Sequence, residues 1–184
     1  VFLLTVVLAP VSALEMPDLD SWLAGRDMDA WDAVQQGEDY VALRRREGEY
    51  RGAKVYDDYA HHPDELRATL EAVRGMGDHR IVLAFQPHTY TRTKLLMDDF
   101  IRELQKADVV VLAEIYAARE SNTIGISSAD LAAQIPGSIY CETLQDVTDC
   151  LRSIVREGDI VLTMGAGDIF RAGEALLSGE DSKK

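Results

Sequence analysis

The sequence predicts an α/β fold, with an open, mostly parallel sheet of five to six strands and helices on both faces. Two observations carry this prediction. From about residue 41 onward, short segments typical of strands alternate with amphipathic segments typical of helices. The runs Ile81–Phe85 and Val109–Ala113 are apolar throughout, as strands covered on both faces require. Strands that alternate with helices form βαβ units, whose strands run parallel and are joined by right-handed crossovers.

The first half of this region contains two predicted strand–helix units. Residues 53–59 are rich in β-branched and aromatic side chains and are predicted as a strand. A helix over 63–76 starts with proline and two acidic residues, the chemistry that a helix N-terminus favours. Residues 80–86 form a buried strand, and an amphipathic helix over 93–106 follows, with Thr93 as a possible cap.

The second half continues the same alternation. Residues 108–116 are another buried strand, and the serine pair Ser127 and Ser128 offers a cap for a short helix over 127–135. The remaining predicted elements are a strand over 138–141, a helix over 143–156, a strand over 159–165 and a final helix over 167–177. The predicted domain extends over residues 41–184.

Residues 1–40 are predicted to be a poorly defined N-terminal segment. The apolar run over 2–9, followed by Pro10, has some likeness to a signal peptide, but it lacks a positively charged leader. It is also far shorter than the roughly 20 residues that cross a bilayer. We therefore interpret it as a buried strand or helix, a remnant of a preceding domain. The chain begins with Val1 instead of Met, so we expect it to be a piece of a longer protein.

Composition excludes several classes of function. A length of 184 residues favours one domain with a short extra segment. The formal net charge of −13 repels phosphate backbones and anionic lipids, so we expect neither a nucleic-acid partner nor a membrane partner. Cys141 and Cys150 lack the spacing of a metal or redox motif, and we expect them to be reduced thiols of a cytoplasmic protein.

Polar residues follow four of the predicted strands. The carboxyl ends of parallel strands meet at one edge of a sheet, where ligands bind in open α/β folds. We call this edge the rim. Its four segments are 57–62 (DDYAHH), 86–92 (QPHTYTR), 114–120 (EIYAARE) and 165–168 (GAGD). Three of the four histidines of the chain lie in these segments, which predicts a polar site at the rim.

The first rim segment has alternative interpretations. Asp57 or Asp58 could cap the helix that follows, and His61 and His62 could be exposed turn residues. A metal site that joins these histidines to Asp58 and His88 is a further possibility. Adjacent histidines in one turn seldom share an ion, however, so we expect no metal ligand in this chain.

The other rim segments suggest anion binding. Arg92 lies in a predicted helix start, where the helix dipole disfavours a cation, so it either holds a carboxylate or phosphate or is a solvated charge. Glu114 could be neutralised by Arg119 or Arg92. The glycines of residues 165–167 suit an anion at a helix start, although a tight turn is the default interpretation.

With these residues described, the chain resembles the C-terminal domain of the Mur ligases, a Rossmann-like domain, and specifically the branch that adds L-alanine. The strings that carry the resemblance are RRREGEYRGAKV (44–55), DDYAHHPDE (57–65), FQPHTYTRTK (85–94), AEIYAARESN (113–122), GISSADL (125–131) and GAGDIFRAGEALL (165–177). Together they cover about residues 41–178.

The resemblance implies an ATP-dependent ligase of peptidoglycan synthesis, which joins L-alanine to UDP-N-acetylmuramate through an acyl phosphate. Such ligases have an N-terminal domain for the UDP-sugar and a central domain with a phosphate loop. The string G-K-[ST] of that loop does not occur in the 184 residues. We therefore expect the other domains to bind most of the ATP and Mg²⁺, and this chain to be inactive alone. The alternative is a free-standing binding or regulatory module derived from a Mur ligase.

The resemblance also implies roles for single residues. The implied substrate-binding residues are Tyr59, His61, His88 and Arg92, and the implied contacts to the ATP ribose are Arg45 and Asp58. Of the first set, two are implied to be catalytic. Arg92 would neutralise the alanine carboxylate or the forming acyl phosphate, and His61 would orient the amine or accept its proton.

Overall fold

The computed structural model describes residues 45–179, so the predictions for residues 1–40 lie outside it. Six strands form one sheet in the order β1-β2-β6-β3-β4-β5. The strands are β1 (Arg45–Tyr50), β2 (Ala53–Asp58), β3 (Ile81–Phe85), β4 (Val109–Ala113), β5 (Ile139–Cys141) and β6 (Ile160–Met164). Only the β1–β2 pair is antiparallel, which confirms the mostly parallel sheet.

Six helices occur within residues 45–179: α1 (Pro63–Gly75), α2 (Tyr90–Leu95), α3 (Met97–Leu104), α4 (Ser128–Ala132), α5 (Leu144–Ile154) and α6 (Phe170–Ser178). They cover both faces of the sheet. Strand β3 shows this directly, because Leu83 packs in a core with helix residues Leu70 and Phe100, whereas Val82 packs in a second core with Leu151 and Leu176. The prediction of helices on both faces is therefore confirmed.

Strand β1 was not predicted from the sequence pattern. It forms a hairpin with β2 through the two turn residues Arg51 and Gly52, whose φ angles are +50° and +78°. Two positive φ angles are the signature of a tight hairpin turn with the twist of the flanking strands. A side chain at Gly52 would also meet Glu157, since a Cβ atom there would lie 2.7 Å from Glu157 Cγ. The glycine of the Arg51–Gly52 pair was the sequence signal that could have revealed this turn.

The prediction of one continuous helix over 93–106 is wrong, both in the residue at which the helix starts and in its continuity. The structure has α2 and α3 instead, separated at Leu96, whose φ of −107° and ψ of +21° lie outside the helical region. Thr93 is not a cap, because it is buried inside α2 and its Oγ1 donates a hydrogen bond to the carbonyl oxygen of Thr89 at 2.7 Å. A hydroxyl bound to the preceding turn is the alternative use of threonine in a helix.

The caps of the other helices are well defined. Ser127 caps α4, as the serine pair predicted, and exchanges hydrogen bonds with Asp130. The cap of α1 is His62, whose Nδ1 accepts from the backbone N–H of Asp64 at 3.3 Å, so neither Asp57 nor Asp58 caps this helix. This corrects the alternative in which one of these aspartates does so, and it gives His62 a structural task.

Candidate functional site

The four rim segments lie at one edge of the sheet, as predicted. In the strand register, Met164 at the end of β6 is opposite both Asp58 at the end of β2 and Phe85 at the end of β3. Phe85 is in turn opposite Leu112 of β4. The polar residues that follow these strands are therefore neighbours in space although they are distant in sequence.

A row of four rings crosses the rim. The ring centroids of Tyr59 and His61 are 5.4 Å apart, those of His61 and His88 5.8 Å, and those of His88 and Tyr116 5.7 Å. We call these four residues the ring row. Three of them were predicted as substrate-binding residues, and the structure brings them together. Tyr116 was missed, although it follows β4 by three residues just as His88 follows β3.

The backbone and one carboxylate hold His61. Its backbone N–H donates to Glu65 Oε2 at 2.9 Å, and its ring Nδ1 lies 3.0 Å from the carbonyl oxygen of Tyr59. A carbonyl oxygen only accepts hydrogen bonds, so this contact assigns the proton to Nδ1. In the neutral ring, Nε2 then carries a lone pair and can accept a proton from a substrate.

His88 and Arg92 each carry a buried nitrogen without a partner. His88 Nδ1 and Arg92 Nη1 have no hydrogen-bond partner within the described part of the chain. Burial, Arg92 and His61 lower the pKa of His88, while Glu120 acts in the opposite direction. This shift favours the neutral ring of His88, which lies beside a cation with an unused donor. Buried polar atoms are nearly always satisfied in proteins, so these two nitrogens are candidates for contact with a ligand.

Glu120 ties the loop after β4 to the start of α2. Its carboxylate accepts hydrogen bonds from the backbone N–H of Thr91 at 3.0 Å and from Thr91 Oγ1. These bonds hold the pKa of Glu120 below its usual value. Glu120 thus binds the start of α2, and the neighbouring Arg92 forms no ion pair with an acidic side chain among residues 45–179.

The expected partners of Glu114 were wrong. Its Oε1 accepts from the backbone N–H groups of Ile115 and Ser128, at 2.7 and 3.1 Å. Its Oε2 accepts from the hydroxyl of Tyr140 at 2.6 Å. Burial and this bond to Glu114 raise the pKa of Tyr140. Neutral donors from α4 and β5 therefore satisfy this carboxylate, and the arginines of the rim remain available.

Asp58 is buried, with 2% of its surface exposed. Its Oδ1 accepts from the backbone N–H of Ala60 at 3.0 Å, and its Oδ2 accepts from Thr69 Oγ1 at 2.6 Å. A contact with the ATP ribose would require the carboxylate to leave these partners, so this role stays a prediction. The backbone of Arg45 lies opposite Asp57 at the β1 edge, and its side chain is outside the described atoms.

The 165–168 turn is filled by protein. A Cβ atom on Gly165 would lie 2.7 Å from the carbonyl oxygen of Gln86, and one on Gly167 would overlap Gln86 and Tyr116. The amide of Gln86 accepts from the backbone N–H of Asp168 at 3.0 Å and donates to its carboxylate at 3.1 Å. The glycines therefore permit close packing, and this N–H is not free for an anion.

Within residues 45–179, no group of three or more His, Cys, Asp or Glu side chains is arranged to hold a metal ion. None of the helices described is both long and apolar enough to cross a membrane.

The chain is similar to known ligases over most of its length. The family profile "Mur ligase, glutamate ligase domain" matches residues 43–167. The UDP-N-acetylmuramate–L-alanine ligase of Lachnospira eligens is 49% identical over 136 residues, which are 72% of this chain and 30% of the relative. The ligase of the same name from Mycolicibacterium smegmatis is 43% identical over 169 residues, which are 87% of this chain and 35% of the relative. This chain thus spans about a third of the length of these relatives.

Solved structures share the fold. The UDP-N-acetylmuramate-alanine ligase of Thermotoga maritima superimposes with a TM-score of 0.62 at 24% identity, over 90% of this chain and 36% of that one. A domain of a Haemophilus ducreyi ligase, named for UDP-N-acetylmuramate and a peptide, gives a TM-score of 0.58 at 22% identity. That match covers 73% of this chain and 97% of the solved domain, so the described fold corresponds to nearly the whole of that solved domain.

Proposed function

Because the chain belongs to the Mur ligase family, we propose that it is the C-terminal domain of an ATP-dependent ligase that joins L-alanine to UDP-N-acetylmuramate in the cytoplasm. The relatives that carry this name support the reaction. The pair of unpartnered, buried nitrogens on His88 and Arg92 is the observation that carries the proposal for the site. A guanidinium with a free donor is the group best suited to bind a carboxylate.

We assign the substrate side of the reaction to the rim. Arg92 binds the carboxylate of L-alanine, and the neutral ring of His88 lies beside it. The amine then faces His61, whose Nε2 accepts its proton. Attack of the amine on the acyl phosphate forms the new C–N bond, breaks the C–O bond to phosphate and releases phosphate, and positioning supplies much of the rate.

ATP and Mg²⁺ belong to the reaction of the whole ligase. The carboxylate of Asp58 is engaged inside the fold, and the 165–168 turn is filled, so the described residues offer no ready cradle for phosphates. They also hold no cluster of metal ligands. We therefore place ATP and the metal mainly on the domains that this chain does not contain.

Binding of L-alanine to the 184-residue chain, followed by NMR, tests the site. Loss of a charge-assisted hydrogen bond costs about 1.5–3 kcal/mol, so Arg92→Ala should weaken binding about ten- to a hundredfold. Arg67→Ala is the matched control, because this arginine is exposed on α1 and makes only surface ion pairs. Equal affinities for the Arg92→Ala variant and the unchanged chain would refute the assignment.

A second test concerns activity. The chain alone should release no phosphate from ATP when UDP-N-acetylmuramate and L-alanine are both present. Phosphate release that depends on both substrates would show that the chain is a complete catalyst. A chain that neither catalyses nor binds L-alanine, yet binds another protein, would favour the regulatory module.

A further inference from the structure

Among residues 45–179, hydrogen bonds of the ring do not set the orientation of His88, since its buried Nδ1 has no partner there. The backbone around it is fixed, since the N–H of Thr89 donates to the carbonyl oxygen of Tyr116 at 2.9 Å and the N–H of Tyr116 donates to that of Pro87 at 2.8 Å. These bonds place the Cα atom of His88, but they leave the rotation of its side chain to packing.

Two rings pack against His88, and they differ in kind. The ring of His61 is tilted by 57° to it, whereas the ring of Tyr116 is nearly parallel to it, with 20° between the planes. A parallel neighbour restricts the ring more than an edge does, because rotation about the Cα–Cβ or Cβ–Cγ bond would drive His88 into its face. Tyr116 is thus the part of the ring row that fixes the plane of His88.

The ring of Tyr116 is in turn packed against the last strand–helix connection. A Cβ atom on Gly167 would lie 2.6 Å from Tyr116 Cγ and 2.8 Å from Tyr116 Cβ, closer than side chains approach each other. Gly167 cannot yield easily, because the neighbouring Asp168 exchanges two hydrogen bonds with the buried amide of Gln86. The side chain of Tyr116 therefore lies between a fixed backbone and His88.

We propose that Tyr116 is a positioning residue for His88, and that Gly167 is glycine because its backbone must contact both Tyr116 and the amide oxygen of Gln86. This inference rests on the proposed function only for its consequence in substrate binding. Tyr116 is 37% exposed, so its role is to pack along one side of His88 without closing the site. A side chain at position 167 would displace Gln86, Tyr116 or both, and a displaced Tyr116 would no longer fix the plane of His88.

The test observes His88 directly, in the 184-residue chain without a ligand. Histidine ring resonances and their pH titration are recorded by NMR for the unchanged chain and three variants. Tyr116→Phe keeps the ring and should leave the His88 signals in place. Tyr116→Leu and Gly167→Ala should both shift them. In Tyr116→Leu the pKa of His88 should rise towards its usual value, because water then reaches the ring, while Arg92, His61 and Glu120 still surround it.

Function is measured separately, as the affinity for L-alanine. Tyr116→Leu and Gly167→Ala should each weaken binding about two- to tenfold, the effect of losing one ordinary hydrogen bond, and Tyr116→Phe should not. If the unchanged chain does not bind L-alanine, the proposed function fails, and the His88 signals still decide the positioning role. His88 signals that are identical in Tyr116→Leu and the unchanged chain would overturn the inference, even if Gly167→Ala fails to fold.

Discussion

Replacement of Asp58 by alanine should destabilise the chain strongly, because its carboxylate accepts two hydrogen bonds inside the fold. The donors are the backbone N–H of Ala60 at 3.0 Å and the hydroxyl of Thr69 at 2.6 Å, and all three residues are buried. A buried donor without a partner costs about 1–3 kcal/mol, so two donors together cost about 2–6 kcal/mol. With a urea m-value of about 2 kcal/mol/M, the unfolding midpoint should fall by about 1–3 M.

Urea unfolding followed by circular dichroism measures this loss. Thr69→Val removes one of the two donors at nearly constant shape and should cost about 1–2 kcal/mol. The double variant Asp58→Ala, Thr69→Val should lose less than the sum of the single variants, since both remove the same bond. Glu71→Ala, at an exposed position on α1, is the control and should change stability by no more than about 0.5 kcal/mol. A loss below about 0.5 kcal/mol for Asp58→Ala would refute the structural role.

Four further results are expected. Gly52→Ala should lower the free energy of unfolding by about 1 kcal/mol or more, because Gly52 has a positive φ and a Cβ atom there would contact Glu157. Gly75→Ala should lower the free energy of unfolding by less or raise it, because a Cβ atom there meets no atom within 4 Å. Urea unfolding midpoints compare the two variants. Because the pKa of His88 is lowered in the fold, the unfolded chain takes up its proton first as the pH falls. The stability that depends on neutral His88 is therefore present above about pH 6.5 and declines below it. His88→Gln should flatten that decline, which is measured by unfolding midpoints at a series of pH values. In a spectrophotometric titration, Glu114→Gln should lower the pKa of Tyr140, since it removes the charge that accepts the phenol proton. Iodoacetamide should alkylate Cys150 before Cys141, because burial raises the pKa of both thiols and that of Cys141 to about 12. Mass spectrometry measures the two rates, and equal rates would contradict this order.

The sequence could predict the parallel core of the sheet because burial on both faces leaves an apolar run that needs no context. Ile81–Phe85 and Val109–Ala113 are such runs, and both are central strands. Strand β1 carries charged residues at an edge, so its composition does not distinguish it from a loop. The start of α2 was also hidden, because Thr89 has a φ of +66° and the helix begins without a side-chain cap.

The rim was predictable for a different reason. Strand ends set the location of a site in a parallel sheet, and His61, His88 and Arg92 all follow strands that the pattern identifies. The sequence could not predict which charged side chain of the rim is left with an unused hydrogen-bonding atom. Glu114 and Arg92 both follow neighbouring strands, yet Glu114 is satisfied by three neutral donors whereas Arg92 keeps an unused donor among the described residues.

This difference in partners would allow a chain with a net charge of −13 to bind the carboxylate that we propose as its ligand. Attraction over long distances cannot be the cause, because the summed field of the protein has the wrong sign. The local arrangement would supply the attraction instead, since Thr91 binds Glu120 and Tyr140 binds Glu114, and neither carboxylate forms an ion pair with Arg92 among residues 45–179. We therefore expect carboxylate binding at the rim to depend on these neutral hydroxyl and amide donors more than on the total charge of the chain.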